Sequence, residues 1–416
     1  MKIDLFYGNE KRKVEIPEKF EILIPNEVPI KKQDKLIEHS LKHPIKSDSY
    51  DKFIKNSDKL LVIVNDATRP TPTSKILEYL KPILASHSDV KFLIATGVHR
   101  APTDEEYRFI FGKTYDIFKD RIYSHDARSN KDMVYLGNSK NGTKMYINKL
   151  VIEYQNIIVI GSVEPHYFAG FTGGRKSFLP GVASYETIEM NHKLALSDKA
   201  CSLALDENPV NEDMVDAMNV LKDLNVFSIQ TVLTGDHNIY AVISGDLIKS
   251  FDKAIEFAKQ VFCVKLKEKG NIVITVAPYP MDIDLYQSQK ALDNGKLALE
   301  DGGIIILISK CRDGVGEEAF LDLLSKASSS EEVFHIIKSK YKLGFHKAAK
   351  MAQIGLRAQM WAVTDLDDVT IRKALLKPYS DIQTAIDNAI EEIEKKGKKA
   401  KIIVMPQGSL TVPLAE

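Results

Sequence analysis

Short apolar runs rich in β-branched residues alternate along this chain with stretches whose apolar positions recur every three or four residues. The runs at 60–64 (LLVIV), 90–95, 156–160, 271–276, 303–308, 359–363 and 401–405 predict strands. The stretches at 73–84, 184–196, 252–262, 288–299 and 382–394 predict helices. Near-continuous apolar strands separated by amphipathic helices imply an α/β fold, with mostly parallel sheets covered on both faces. Only the start differs: residues 2–6 and 13–16 read as a small antiparallel hairpin. The charged segment VKLKEK at 264–269, after a run at 239–245 and the 252–262 helix, marks a boundary near residue 266. The expected organisation is an N-terminal α/β domain over 1–265 and a C-terminal α/β domain over 266–416.

Composition narrows the function classes. The 416 residues suffice for two or three domains. Fifty-seven basic residues balance 57 acidic ones, which argues against nucleic acid or a membrane surface as partner. Cys201, Cys263 and Cys311 lack zinc or disulfide-framework spacing and fit a reducing cytoplasm. The N-terminus is too polar for a signal peptide, and no apolar run approaches the length of a membrane span. A cytoplasmic protein without membrane partners is the expectation.

Chemistry concentrates where the strands should end. NDATRPTP follows the first core strand, ATGVHR the second, EPHYFAGFTGGRKSFLPG the third, and PYPMDIDLYQSQK the strand at 271–276. Open α/β sheets bind ligands at the carboxyl ends of their strands, so these runs point to one site, expected between the domains. Each has a plainer reading. Asp66 either serves that site or caps the next helix and pairs with Arg69, whose planar fork otherwise suits a substrate carboxylate. His99, His166 and His192 taken singly would be ordinary structural or surface histidines, and no metal-ligand spacing links them. FAGFTGGRKSFLPG fails the P-loop pattern, because Arg175 stands where glycine is required. It still offers a flexible loop with Gly173, Gly174 and two adjacent cations, and an enclosed lysine can become a nucleophile. Gly314, Gly316 and Ala319 echo a dinucleotide fingerprint but read better as a helix-start turn.

Together, NDATRPTP, ATGVHR, EPHYFAGFTGGRKSFLPG, MNHK and DLYQSQKAL resemble the nickel-dependent lactate racemase family over most of the chain. The resemblance implies an isomerase acting on a small 2-hydroxy acid, lactate first. It implies nickel in a nickel-pincer nucleotide, a pyridinium-3,5-bisthiocarboxylic acid mononucleotide, and partner proteins that synthesise and load it. Lys176 matches the covalent tether, with Gly173, Gly174, Arg175 and Asp66 around the cofactor. His192 matches the nickel ligand, and His99 and His166 the catalytic acid/bases. Arg69, Tyr286, Gln287 and Lys290 match substrate-binding groups. One departure concerns a tryptophan that such racemases can carry near the substrate. Trp361 sits in a predicted strand, and LGFHKAAK (Phe345, His346, Lys347) occupies the corresponding region. The alternatives are another 2-hydroxy acid with the same cofactor, an NAD-dependent 2-hydroxy-acid dehydrogenase, and a non-catalytic nucleotide- or anion-binding module.

Overall fold

Two six-stranded sheets organise the chain, each in its own unit. The computed structural model describes residues 1–17 and 19–415. One unit comprises Glu27–Val261; the other joins Met1–Asn26 to Phe262–Glu416. The chain therefore crosses between units twice. The second crossing lies within a few residues of the expected boundary near 266. The first has a simple cause: Phe20–Ile22 adds in parallel to the edge strand Ile402–Met405, and Leu5, Val14 and Ile16 of the hairpin join the C-terminal core. The hairpin is as expected, Lys2–Tyr7 pairing antiparallel with Glu10–Glu15.

In the Glu27–Val261 unit the strand order is Ile239–Gly245, Asn225–Leu233, Asn156–Ser162, Leu60–Asn65, Val90–Ala95, Ile122–Ser124. Every neighbouring pair is parallel except the first. The order reverses at Leu60–Asn65, which has Val90–Ala95 on one side and Asn156–Ser162 on the other. That reversal makes a crevice at the strands' carboxyl ends, where such sheets take ligands. Leu60, Val62, Val64, Phe92, Ile94, Ile158 and Ile160 face one core with Ile76, Leu77, Leu80 and Leu84 of the helix Thr73–Ser86. Fully burying each such side chain contributes about 1.5–3 kcal/mol.

Asn225–Leu233 was not among the expected strands. Its Ser228, Gln230 and Thr231 are fully buried, so polar residues interrupt the apolar pattern that marks the other core strands. Gln230 instead donates to Ser228 Oγ and accepts from Gly174 N–H at 3.0 Å, tying the sheet to the glycine loop. Replacing Gln230 by alanine would strand that buried N–H. We expect a loss of about 1–3 kcal/mol in urea unfolding, with unchanged m-value if the fold is kept.

The second unit carries Lys377–Tyr379, Gln359–Val363, Leu299–Ile308, Gly270–Val276, Ile402–Met405 and Phe20–Ile22, all parallel. The helix expected over 288–299 runs Leu285–Gly295 instead. Asp284 caps it by accepting Gln287 N–H at 2.6 Å, and Leu299 already begins the next strand. The Gly314–Gly316 turn supports this helix start, with Leu285 N–H donating to Gly314 O and Tyr286 N–H to Val315 O. It is a helix-start turn rather than a nucleotide fingerprint. Trp361 lies in the strand core, stacked on Tyr379 at 4.9 Å.

Candidate active site

Three strand-end loops of the Glu27–Val261 unit bring the expected groups together. The loop after Leu60–Asn65 supplies Asp66 and Arg69, that after Val90–Ala95 supplies His99, and that after Asn156–Ser162 supplies Glu164 and His166. His99 Nδ1 lies 2.7 Å from Asp66 Oδ2, while Asp66 Oδ1 accepts from Thr68 N–H and Oγ1–H. Burial alone would raise the Asp66 carboxyl. The hydrogen bond and charge of His99, with Thr68 and Arg69, outweigh it and hold the group below its ordinary value. Asp66 is thus an anionic acceptor that fixes the His99 proton on Nδ1, leaving Nε2 a lone pair, and the ring edge is exposed. The plainer reading of Asp66 gives way here. Helix Thr73–Ser86 has no side-chain cap at its start, and Arg69 pairs with Glu164 at 3.5 Å.

The sign of the pH dependence follows. Because the folded Asp66 pKa is depressed below 3.8, its contribution to stability is present above that value. It is lost as pH falls through the lower folded value. Thermal unfolding of wild type and Asp66→Asn should therefore converge on acidification and differ most near neutrality.

His166 is buried, and its ring packs edge-on to Phe168 at 4.6 Å and stacks on Tyr167 at 5.0 Å. Its Nδ1 accepts Ala169 N–H at 3.2 Å, and its Nε2 lies 3.3 Å from Lys176 Nζ. Lys176 Nζ lies 5.6 Å from the Phe168 centroid, and the His192 ring is 5.0 Å from the same ring. Phe168 is the hub around which the amine and two imidazoles gather. Burial, with any charge on Lys176 adding to it, lowers the His192 pKa to about 3. The ring is neutral at physiological pH, the form that ligates metal. His192 projects from helix Tyr185–Lys193, which starts where Ser184 Oγ accepts Thr187 N–H.

The glycine loop is a short 3-10 turn, Gly174–Ser177, entered through Gly173 at φ 81 and ψ −177. That region belongs to glycine, and a Cβ at Gly173 would stand 2.7 Å from Gln230 Oε1 and Val163 Cγ2. Gly173→Ala should cost about 1–3 kcal/mol, read as a lower unfolding midpoint. Arg175 is 2 % exposed. Its Nε donates to Asn211 Oδ1, its Nη2 to Ala169 O at 3.1 Å, and its plane covers Phe251 at 4.5 Å. Burial lowers its pKa to about 9, still protonated at neutral pH. Arg175 anchors the loop from beneath while Lys176, half-buried, faces His166. The sequence reading missed Glu164, Asn208, Asn211 and Gln230, because polar residues inside a fold carry no periodic signal.

In the other unit, Tyr286, Gln287 and Lys290 lie on helix Leu285–Gly295. Lys347 Nζ donates to the Tyr286 carbonyl and lies 3.7 Å from its ring centroid. Burial pushes the Tyr286 hydroxyl well above its usual range and raises the Asp284 carboxyl. Lys347 belongs to helix Phe345–Gly355, whose His346, Lys347 and Lys350 are all buried.

Among the described residues, no cluster of three or more His, Cys, Asp or Glu could by itself hold a metal ion, and no helix is long and apolar enough to cross a membrane. A single neutral imidazole beside a lysine amine still fits a metal whose other donors arrive on an organic group.

Residues 7–203 match the lactate racemase N-terminal domain, and 264–412 the lactate racemase C-terminal domain. The lactate racemase of Thermoanaerobacterium thermosaccharolyticum is 29% identical over 422 residues, covering 98% of this chain and 97% of that protein. That of Lactiplantibacillus plantarum is 30% identical over 387 residues, 90% of each. The solved lactate racemase apoprotein from T. thermosaccharolyticum superposes with TM-score 0.92 at 29% identity, covering 100% of both chains. A Thermotoga maritima structure at TM-score 0.70 and 15% identity, covering 92% of this chain and 98% of that one, shares the fold. With both domain families matched in order and relatives aligned almost end to end, this chain belongs to the lactate racemase family of isomerases.

Proposed function

We propose that the protein racemises a small 2-hydroxy acid, lactate first, using a nickel-pincer nucleotide tethered to Lys176. The observation that carries this reading is the grouping of the Lys176 amine, the His166 ring and the neutral His192 ring around Phe168. In the same unit stands the separate Asp66–His99 pair. Lys176 would hold the group covalently and His192 would ligate nickel. When bound, the nucleotide would supply an electrophilic centre able to accept and return the Cα hydrogen as hydride.

The chain's own residues manage the proton and the pose. The hydroxyl proton of one enantiomer passes to His99 Nε2, whose lone pair is left free because Asp66 holds the ring hydrogen on Nδ1. The hydroxyl of the other enantiomer points elsewhere, so a second imidazole is required, and His166 is assigned to it. Arg69 binds the carboxylate, with Tyr286, Gln287 and Lys290 assigned to substrate as well. Arg175, Gly173, Gly174 and Gln230 keep the tether loop in place. Proteins that make and load the nucleotide, and a cytoplasmic setting, belong to the same proposal.

Incubating the protein with the nucleotide, measuring intact mass and nickel, and assaying interconversion of D- and L-lactate tests the reading. A covalent increment at Lys176 with one nickel and racemisation supports it. Reversible NAD binding without an increment would replace it by a dehydrogenase. Substrate binding has its own check. Glu164 competes for Arg69 across a long, half-exposed contact, so Glu164→Gln should lower KM about fivefold, with kcat little changed. A raised KM would mean that Glu164 instead positions the arginine.

A further inference from the structure

We propose that Asn191 is a positioning residue that sets the rotation of the His192 ring for nickel by tying its helix to the neighbouring helix Pro209–Val220. The inference rests on the functional reading for the role of His192. Asn191 precedes His192 on helix Tyr185–Lys193 and is fully buried. Its Nδ2 donates to Val210 O at 3.1 Å and to Asp213 Oδ2 at 3.5 Å, both on the second helix. A peptide carbonyl can only accept, so the Val210 contact fixes which way the amide faces. Asn191 Oδ1 is then left in the interior, where it accepts no hydrogen bond among the described residues.

That orphaned oxygen points to a role beyond packing. A buried acceptor left unmet is costly and calls for a reason. An apolar residue would fill the same place without the cost, as Ile188 does three residues earlier on the buried face. What the amide adds is direction. Thr187, one turn before Asn191, is a second polar tie on this face. Its Oγ1 donates to Lys144 O at 2.7 Å and accepts Tyr146 N–H at 3.0 Å. Positions 187 and 191 lie one above the other on an α-helix. One is bonded to the strand Lys144–Asn148 and the other to helix Pro209–Val220, so together they stop their helix from turning about its axis. His192 sits one position on, and any rotation at Asn191 swings its imidazole by the same angle.

The far side of the tie is itself anchored. Asp213 is fully buried; its Oδ2 also accepts from Thr143 Oγ1–H, and its Oδ1 accepts from Asn141 Nδ2 at 3.0 Å. Both donors sit in the turn joining strands Met133–Asn138 and Lys144–Asn148, so Asp213 is clamped by the hairpin that also holds Thr187. The start of helix Pro209–Val220 reaches the rest of the site as well. Asn208, its cap, donates from Nδ2 to Phe168 O at 2.9 Å, and Asn211 Oδ1 accepts from Arg175 Nε. One helix thus holds the Phe168 loop, the tether turn and, through Asn191, the helix of His192, whose ring meets Phe168 edge-on at 5.0 Å. Groups that orient a metal's ligand from behind typically change metal affinity about 10–100-fold when lost.

The test compares nickel retention with stability in full-length protein loaded with the nucleotide. Asn191→Leu removes the tie while filling the space. Thr143→Val removes a donor to the same Asp213 oxygen and leaves Asn191 in place, so it weakens the fold by similar means and serves as the control. Nickel loss to excess EDTA is timed well below all unfolding midpoints, with intact mass separating loss of nickel from loss of the tethered group. Asn191→Leu should lose nickel at least about tenfold faster than wild type and show an altered nickel absorption spectrum. Thr143→Val should match wild type in both, though its midpoint falls. Wild-type retention in folded Asn191→Leu would overturn the inference, as would nickel loss that tracks the midpoint alike in both variants. If the leucine variant does not fold, Asn191→Ala is judged by the same criteria. His192→Ala separates this inference from the reading beneath it. Rapid nickel loss in that variant, with wild-type retention in Asn191→Leu, sinks this inference alone. Wild-type retention in His192→Ala sinks the assignment of His192 to nickel, and this inference with it.

Discussion

Lys176→Ala protein is expected to show no mass increment with the nickel-pincer nucleotide and no racemisation above the uncatalysed rate, a loss of about 10^6-fold or more. The size of the effect follows from what is removed. Arg175 and Ser177 stay in the turn, with Gln230 still holding Gly174 N–H, so the fold should survive. The amine beside His166 and the Phe168 hub goes. Lys176→Arg is the discriminating companion. It restores a cation, but a guanidinium has no amine to condense, so it should fail equally. Recovery of loading and turnover in the arginine variant would show that charge, not attachment, is what this position supplies.

Asp66→Asn should cost about 10^2–10^4-fold in kcat with a much smaller change in KM. An asparagine can keep the 2.7 Å contact to His99 Nδ1 only by presenting its oxygen, and it then lacks the charge that stabilises the imidazolium. Turned over, it donates to Nδ1 and forces the ring proton onto Nε2, where the base is needed. Either way the reacting edge loses its correctly placed lone pair or the charge behind it, so kcat and the pH–rate profile should both change. A variant with normal kcat and an unshifted profile would remove the Asp66–His99 pair from the mechanism. Covalent loading at Lys176 should be intact in this variant, since Asp66 is engaged by His99 and Thr68. That separates the two predictions experimentally.

How much of this was legible beforehand varies residue by residue. The strands 60–65, 90–95, 156–162 and 270–276 announced themselves because buried parallel strands are apolar on both faces, and the polar runs stood out by following them. Asn225–Leu233 was illegible because Ser228, Gln230 and Thr231 are satisfied inside the fold by partners far away in sequence. Asp66 and Arg69 were visible as a pair of opposite charges three residues apart, which made their mutual pairing a natural reading. In space each found a better partner, His99 and Glu164, on loops that sequence distance hides.

The amino-acid sequence by itself determined the α/β class, the strand-end placement of the reactive residues and, through its ordered motifs, the family. The first two follow from local periodicity and from residues whose chemistry is readable one at a time; the family follows from the resemblance of the motifs taken in order. Only the tertiary structure decided that Phe20–Ile22 completes the C-terminal sheet, where the strand order reverses, and which nitrogen of His99 and of His166 carries the proton. The physical reason is that a proton's place on imidazole depends on which donor or acceptor meets each ring nitrogen. For His99 that group is a carboxylate 33 residues away; for His166 it is a peptide N–H whose plane is held by Asn208, 40 residues beyond Phe168.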